Sequence, residues 1–146
     1  MKKAQGFTII ELIIAMVIIT VILLVVVPVG QTATDNSRVA NAMSSIKAIE
    51  TAAVGWANDN GGQYTGISFT QLTNGYLPLE FTPKSTDPWN GDYTVNVNSN
   101  DATKIDISLS NVPTGPAAKL TTALTKIAAA SGSPSYADGI WSITLQ

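Results

Sequence analysis

The sequence predicts an α+β fold: a long N-terminal α-helix packed on a small, mainly antiparallel β-sheet, with a second helix before the last strand. Three observations carry this. An apolar run, uncharged from Leu12 to Thr34, passes into a segment whose apolar residues recur at spacings of three and four. Two mid-chain stretches, Tyr93/Val95/Val97 and Ile105/Ile107/Leu109, alternate apolar and polar residues as half-buried strands do. Helical spacing then returns at Leu120, Leu124, Ile127 and Ala128, ahead of a final alternating stretch, Trp141/Ile143/Leu145.

The first helix has two halves. A hydrocarbon core of about 30 Å needs roughly 20 apolar residues as helix, so residues 7–29 are read as a membrane span. Lys2 and Lys3 precede it and the mostly polar residues 30–146 follow, which leaves the N-terminus cytoplasmic and exports the rest. A secretory signal places its small-residue cut site after the apolar run, whereas Gly6 stands before it. A cut at Gly6 removes the lysines as a leader, 1–6, and keeps the apolar segment. Pro28 lacks a backbone donor and follows β-branched Val25-Val26-Val27, so the helix is expected to kink or loosen there.

The second half, about 36–57, is amphipathic. Val39, Met43, Ile46, Ile49, Ala53 and Trp56 mark its apolar face, with Arg38, Asn41, Lys47 and Glu50 largely elsewhere. As one helix from Phe7 to Ala57 it would be roughly 75 Å long, ending at Asn58-Asp59-Asn60-Gly61-Gly62. A short helical piece is expected at Ser68–Leu72, and Asp87-Pro88-Trp89-Asn90-Gly91 is a turn, with Asn90-Gly91 supplying a tight bend. The two strands that follow form a hairpin closed by Ser99-Asn100-Asp101-Ala102. Pro113-Thr114-Gly115-Pro116 opens the second helix, Gly132 ends it, and Ile140–Leu145 is the last strand.

The string Gly6-Phe7-Thr8-Ile9-Ile10-Glu11-Leu12 resembles, residue for residue, the processing motif of type IV pilins and of type II secretion pseudopilins. The resemblance implies that a prepilin peptidase cuts between Gly6 and Phe7 and N-methylates Phe7. It also implies that Glu11 pairs with the Phe7 amine of a neighbouring subunit during assembly. A carboxylate just inside an apolar span is costly unless it finds a partner, which agrees with that role. The rival reading is an interfacial Glu11 that snorkels to the headgroups. Pilins share a proline near Pro28, and the segment from Thr20 to Pro28 would then partly unwind in a filament, a plain kink being the alternative. Gly75-Tyr76-Leu77-Pro78 and the Asp87-Pro88-Trp89 turn resemble pseudopilins and several pilins. Asn111 to Leu124 resembles type IVb pilins, with Ala117-Ala118 where a cysteine normally stands, and implies a last strand inserted inside the sheet. The short leader and Phe7 resemble type IVa pilins instead.

Composition limits the chemistry. The chain has no cysteine and no histidine, which removes disulfides, thiol nucleophiles, the usual triads and typical zinc sites. Formal net charge is −2, and losing two lysines takes it to −4, so no basic patch argues for nucleic acid. No pair of carboxylates is singled out for acid–base catalysis and no phosphate loop is present, so the chain is read as no enzyme, without cofactor. Asp87, Asp92, Asp101, Asp106 and Asn98–Asn100 gather hard oxygen ligands that could suit calcium, although carboxylates in turns are more often turn formers. Trp56, Trp89 and Trp141 are read as core rather than as an exposed adhesive patch.

These readings converge on a structural subunit. The resemblance implies a single-pass inner-membrane precursor that homopolymerises into an extracellular type IV pilus. Its partners would be the prepilin peptidase/N-methyltransferase, an inner-membrane assembly platform and a cytoplasmic assembly ATPase. The alternatives are a pseudopilin of a short periplasmic filament, a minor pilin, and a membrane-tethered domain that never polymerises.

Overall fold

The computed structural model describes residues 9–127 and 134–145, with the side chains of 23–31, 126 and 127 outside that description. Helix α1 runs Ile9–Asp59, followed by α2 (Phe69–Thr73), β1 (Tyr93–Asn98), β2 (Asp101–Leu109), α3 (Thr114–Ile127), β3 (Ser135–Ala137) and β4 (Ile140–Leu145). The chain divides into two units, Met1–Asp35 and Asn36–Gln146.

In the second unit, α1 buries Val39, Ala42, Ile46, Ile49, Ala52, Ala53 and Ala57, with Met43 and Trp56 half-buried beside them. That is the apolar face expected from spacing, widened by three alanines. The helix stops where Asn and Gly were expected to stop it. The Gly62 amide donates to the Ala57 carbonyl at 2.7 Å, and Gly61 and Gly62 take φ values of 71° and 82°, open to residues without a Cβ. Asn60 adds its side-chain amide to the Trp56 carbonyl at 2.8 Å. Ser68 caps α2 by accepting from the Gln71 amide at 3.3 Å, and Phe69 and Leu72 enter the core.

The sheet has the order β1-β2-β4-β3, antiparallel throughout, so β4 lies inside the sheet as expected for the last strand. Tyr93 and Val95 on β1, Ile105, Ile107 and Leu109 on β2, and Trp141, Ile143 and Leu145 on β4 are buried on one face. Alternation therefore identified the core face correctly on all three long strands. From α3, Ala117, Leu120 and Leu124 join the same core. The other members of its expected face, Ile127 and Ala128, and the terminating Gly132 lie outside the described side chains.

Two turns differ from expectation. The first hairpin is closed by Ser99-Asn100 alone, because Asp101 already pairs with Asn98 after a register shift at Val97/Asn98. The second, β3-β4, was not foreseen. Asp138 and Gly139 take φ values of 50° and 78° between Ala137 and Ile140, and positive φ at both central positions is the geometry that matches strand twist.

Candidate processing and assembly site

The expected processing residues Gly6 and Phe7 lie outside the described residues. Glu11 is placed in the first turn of α1 and is exposed. A carboxylate there complements the positive end of the helix dipole. Around it stand Ile9, Ile10, Leu12, Ile13 and Ile14. The large apolar side chains described from Ile9 to Ile22 are between 50% (Ile13) and 81% (Ile9) exposed, so none of them is buried among the described residues. A helix that is apolar all round needs lipid or protein around it. Thr20 returns its hydroxyl to the Met16 carbonyl at 2.8 Å, which hides its only polar group within the helix. Among the described residues no helix is long and apolar enough to cross a membrane. The described apolar side chains end at Ile22, and those of 23–31, Pro28 included, are outside the description, although α1 continues through that stretch.

Three aspartates of the acidic turn region are engaged in hydrogen bonds. Asp87 is buried, and its Oδ1 accepts from the Trp89 and Gly91 amides at 2.8 Å each. Asp106 accepts from Asn98 Nδ2 at 3.0 and 3.1 Å and from Thr144 Oγ1 at 2.6 Å, tying three strands on the outer face. Asp101 accepts from Thr103 and meets Lys104 at 3.4 Å. Among the described residues no group of three or more carboxylates is placed to hold a metal ion. These aspartates build turns and cross-strand ties. Trp141 is fully buried, while Trp56 and Trp89 are half-buried against the core with their indole Nε1 atoms enclosed.

The bend expected at Asn90-Gly91 is present, and its two residues have different parts in it. Asn90 takes the positive φ, 62°, whereas Gly91 is needed for space, since a Cβ there would sit 2.2 Å from the Ser110 carbonyl oxygen. Gly91→Ala is therefore expected to cost about 1–3 kcal/mol by overpacking, read as a lower denaturant midpoint at unchanged m-value. An unchanged midpoint would contradict the close approach.

Asp87 also makes stability depend on pH. Burial pushes its carboxyl above the ordinary 3.8, against the pull of the Gly91 and Trp89 amides, and the Asp92 charge adds to the rise. The folded chain then holds this proton to higher pH than the unfolded chain does. The stabilisation is complete below the unfolded value and is lost as pH rises through the folded one. Denaturant midpoints of the wild type are expected to fall across the range just above 3.8, with that component absent in Asp87→Asn.

Residues 1–27 match the family described as the prokaryotic N-terminal methylation motif. The chain carries the type IV pilin and pseudopilin signature. No curated protein matches the chain. The pilin signature is that of a membrane-anchored precursor handled by prepilin peptidase and a filament-assembly machinery, and its family is structural, not enzymatic. The α+β head, with its helix before the last strands, agrees with the pilin fold.

Proposed function

We propose that this chain is a prepilin whose mature form, from Phe7 onward, is the structural subunit of an extracellular type IV pilus. The observation that carries this is the methylation motif continuing into a helix whose apolar side chains are uncovered on every side from Ile9 to Ile22. Before assembly, residues 7–29 sit in the inner membrane with the N-terminus cytoplasmic and residues 30–146 exported. After cleavage at Gly6 and methylation of Phe7, the helices exchange lipid for one another in the filament core. A head-to-tail contact that does not close into a ring gives a fibre. The partners are the peptidase, a membrane platform, a cytoplasmic ATPase and further copies of the chain.

A second reading is a pseudopilin, favoured by the Asp87-Pro88-Trp89 turn that leads into β1. Electron microscopy of sheared cell-surface material, with mass spectrometry of the subunit terminus, separates the two. Long filaments built from chains starting at methylated Phe7 support the pilus. A methylated chain retained in the envelope supports the pseudopilin or a minor pilin, and an intact Met1 sinks both.

A further inference from the structure

Three Asn-Gly pairs occur in the head: Asn60-Gly61, Asn74-Gly75 and Asn90-Gly91. In such a pair the glycine amide nitrogen can attack the asparagine Cγ, since no side chain on the second residue obstructs it. As chemistry the three are equal, so the fold alone sets their order.

At Asn90 the attack is blocked from both sides. The Gly91 N–H donates to Asp87 Oδ1 at 2.8 Å, and Gly91 is buried against the Ser110 carbonyl. The nitrogen can reach Cγ only after the turn opens and that bond breaks. At Asn60 the side-chain amide is tethered to the Trp56 carbonyl at 2.8 Å, which holds Cγ along the helix end. Asn74 has neither restraint. It is exposed at the end of α2, and among the described residues neither its side chain nor the Gly75 N–H makes a hydrogen bond. Nothing lies within 4 Å of the space a Gly75 Cβ would fill.

From this we propose that Asn74 is a site of spontaneous deamidation in the folded head, a modification for which Gly75 is the internal nucleophile, and that the Asp87 turn protects Asn90. The Gly75 nitrogen loses its proton and bonds to Asn74 Cγ. The Cγ–Nδ2 bond breaks and Nδ2 leaves as ammonia, closing a succinimide. Water then opens the ring at either carbonyl, giving aspartate or, with the main chain rerouted through the side chain, isoaspartate. The isoaspartate product lengthens the chain just before Tyr76. The Tyr76 and Leu77 amides both donate to the Leu72 carbonyl, at 3.0 and 2.8 Å. The Tyr76 hydroxyl donates to Asp59 Oδ2 at 2.7 Å, and its ring meets Trp56 edge-on at 5.7 Å. Ageing at Asn74 thus loosens the tie between α2 and the end of α1, and changes the surroundings of Trp56.

The test is a time course on the purified full chain in detergent micelles at mildly alkaline pH, with parallel samples in concentrated denaturant. Trypsin places Asn60 and Asn74 on residues 48–84, separable by fragment ions, and Asn90 on 85–104. In the folded chain the amide-to-acid mass increment is expected fastest at Asn74, then Asn60, then Asn90. Asn74 should lead Asn90 by about tenfold or more, the population factor for opening one buried backbone hydrogen bond. In denaturant the ratio should collapse toward unity. Asn90 reacting as fast as Asn74 in the folded chain, or a ratio unchanged by denaturant, would overturn the proposal.

Discussion

Replacing Glu11 with alanine is expected to give a chain that is cut and methylated but never appears in filaments. Glu11 sits in the first turn of α1 among exposed isoleucines, so any bundle that covers Ile9 to Ile22 also takes Glu11 out of water. Desolvating a carboxylate costs several kcal/mol unless an opposite charge and hydrogen bonds compensate. In the filament proposed above, the Phe7 amine of a neighbouring subunit supplies that charge, and the pairing distance sets how far one helix rises past the next. Alanine removes the cost together with the register. Membrane insertion is unaffected, since an apolar residue is easier to place in lipid than a carboxylate. The measurement is an immunoblot for the shortened chain beside electron microscopy of the sheared fraction, in cells that carry the assembly machinery. Glu11→Gln separates charge from hydrogen bonding, because it keeps the length and the polar atoms but cannot neutralise an amine. Loss of filaments in both variants, with processing intact, is the expected outcome. Wild-type filament yield from Glu11→Ala would remove Glu11 from assembly.

The core was legible in the sequence wherever burial on one face imposes a period. Ile105, Ile107 and Leu109, and likewise Trp141, Ile143 and Leu145, alternate because a strand half in a core must do so. Val39, Ile46, Ile49 and Ala53 recur at helical spacing for the same reason. The loop geometry was less legible, since it turns on contacts between distant residues. Nothing around Asn90-Gly91 in sequence reveals that Ser110 will close on Gly91, so the bend was readable while the need for space at Gly91 was not. The short β3 gave no periodic signal over three residues, yet Asp138-Gly139 was a readable hairpin turn just before Ile140. The aspartates near the first hairpin are close in sequence, but Asp87, Asp101 and Asp106 each serve a separate turn or cross-strand tie. For the assembly segment the motif was readable in the sequence, and the partner proposed for Glu11 lies on a neighbouring copy.

Trp141→Ala is expected to be the most destabilising single change in the head. The side chain has no solvent exposure, on a strand with neighbours on both sides: it pairs with Leu109 of β2 and Tyr136 of β3. Its Nε1–H donates to Thr121 Oγ1 of α3 at 3.0 Å, so one residue joins the sheet to that helix. Truncating a buried tryptophan to alanine costs about 3–5 kcal/mol through lost transfer energy and the cavity left behind. A domain is stable by about 5–15 kcal/mol in total, and this chain has no cysteine with which a disulfide could buffer the loss. Trp141→Phe fills most of the space and gives up only the hydrogen bond, so about 1–2 kcal/mol is expected. Denaturant unfolding of the full chain in micelles, followed by fluorescence of the remaining Trp56 and Trp89, measures both. A loss below about 1 kcal/mol for alanine would mean that the sheet and α3 hold together without this side chain. At the expected size the head spends a larger fraction of time unfolded and falls to envelope proteases. Filament yield would then drop with chain abundance, in contrast to Glu11→Ala, where the chain persists and only assembly fails.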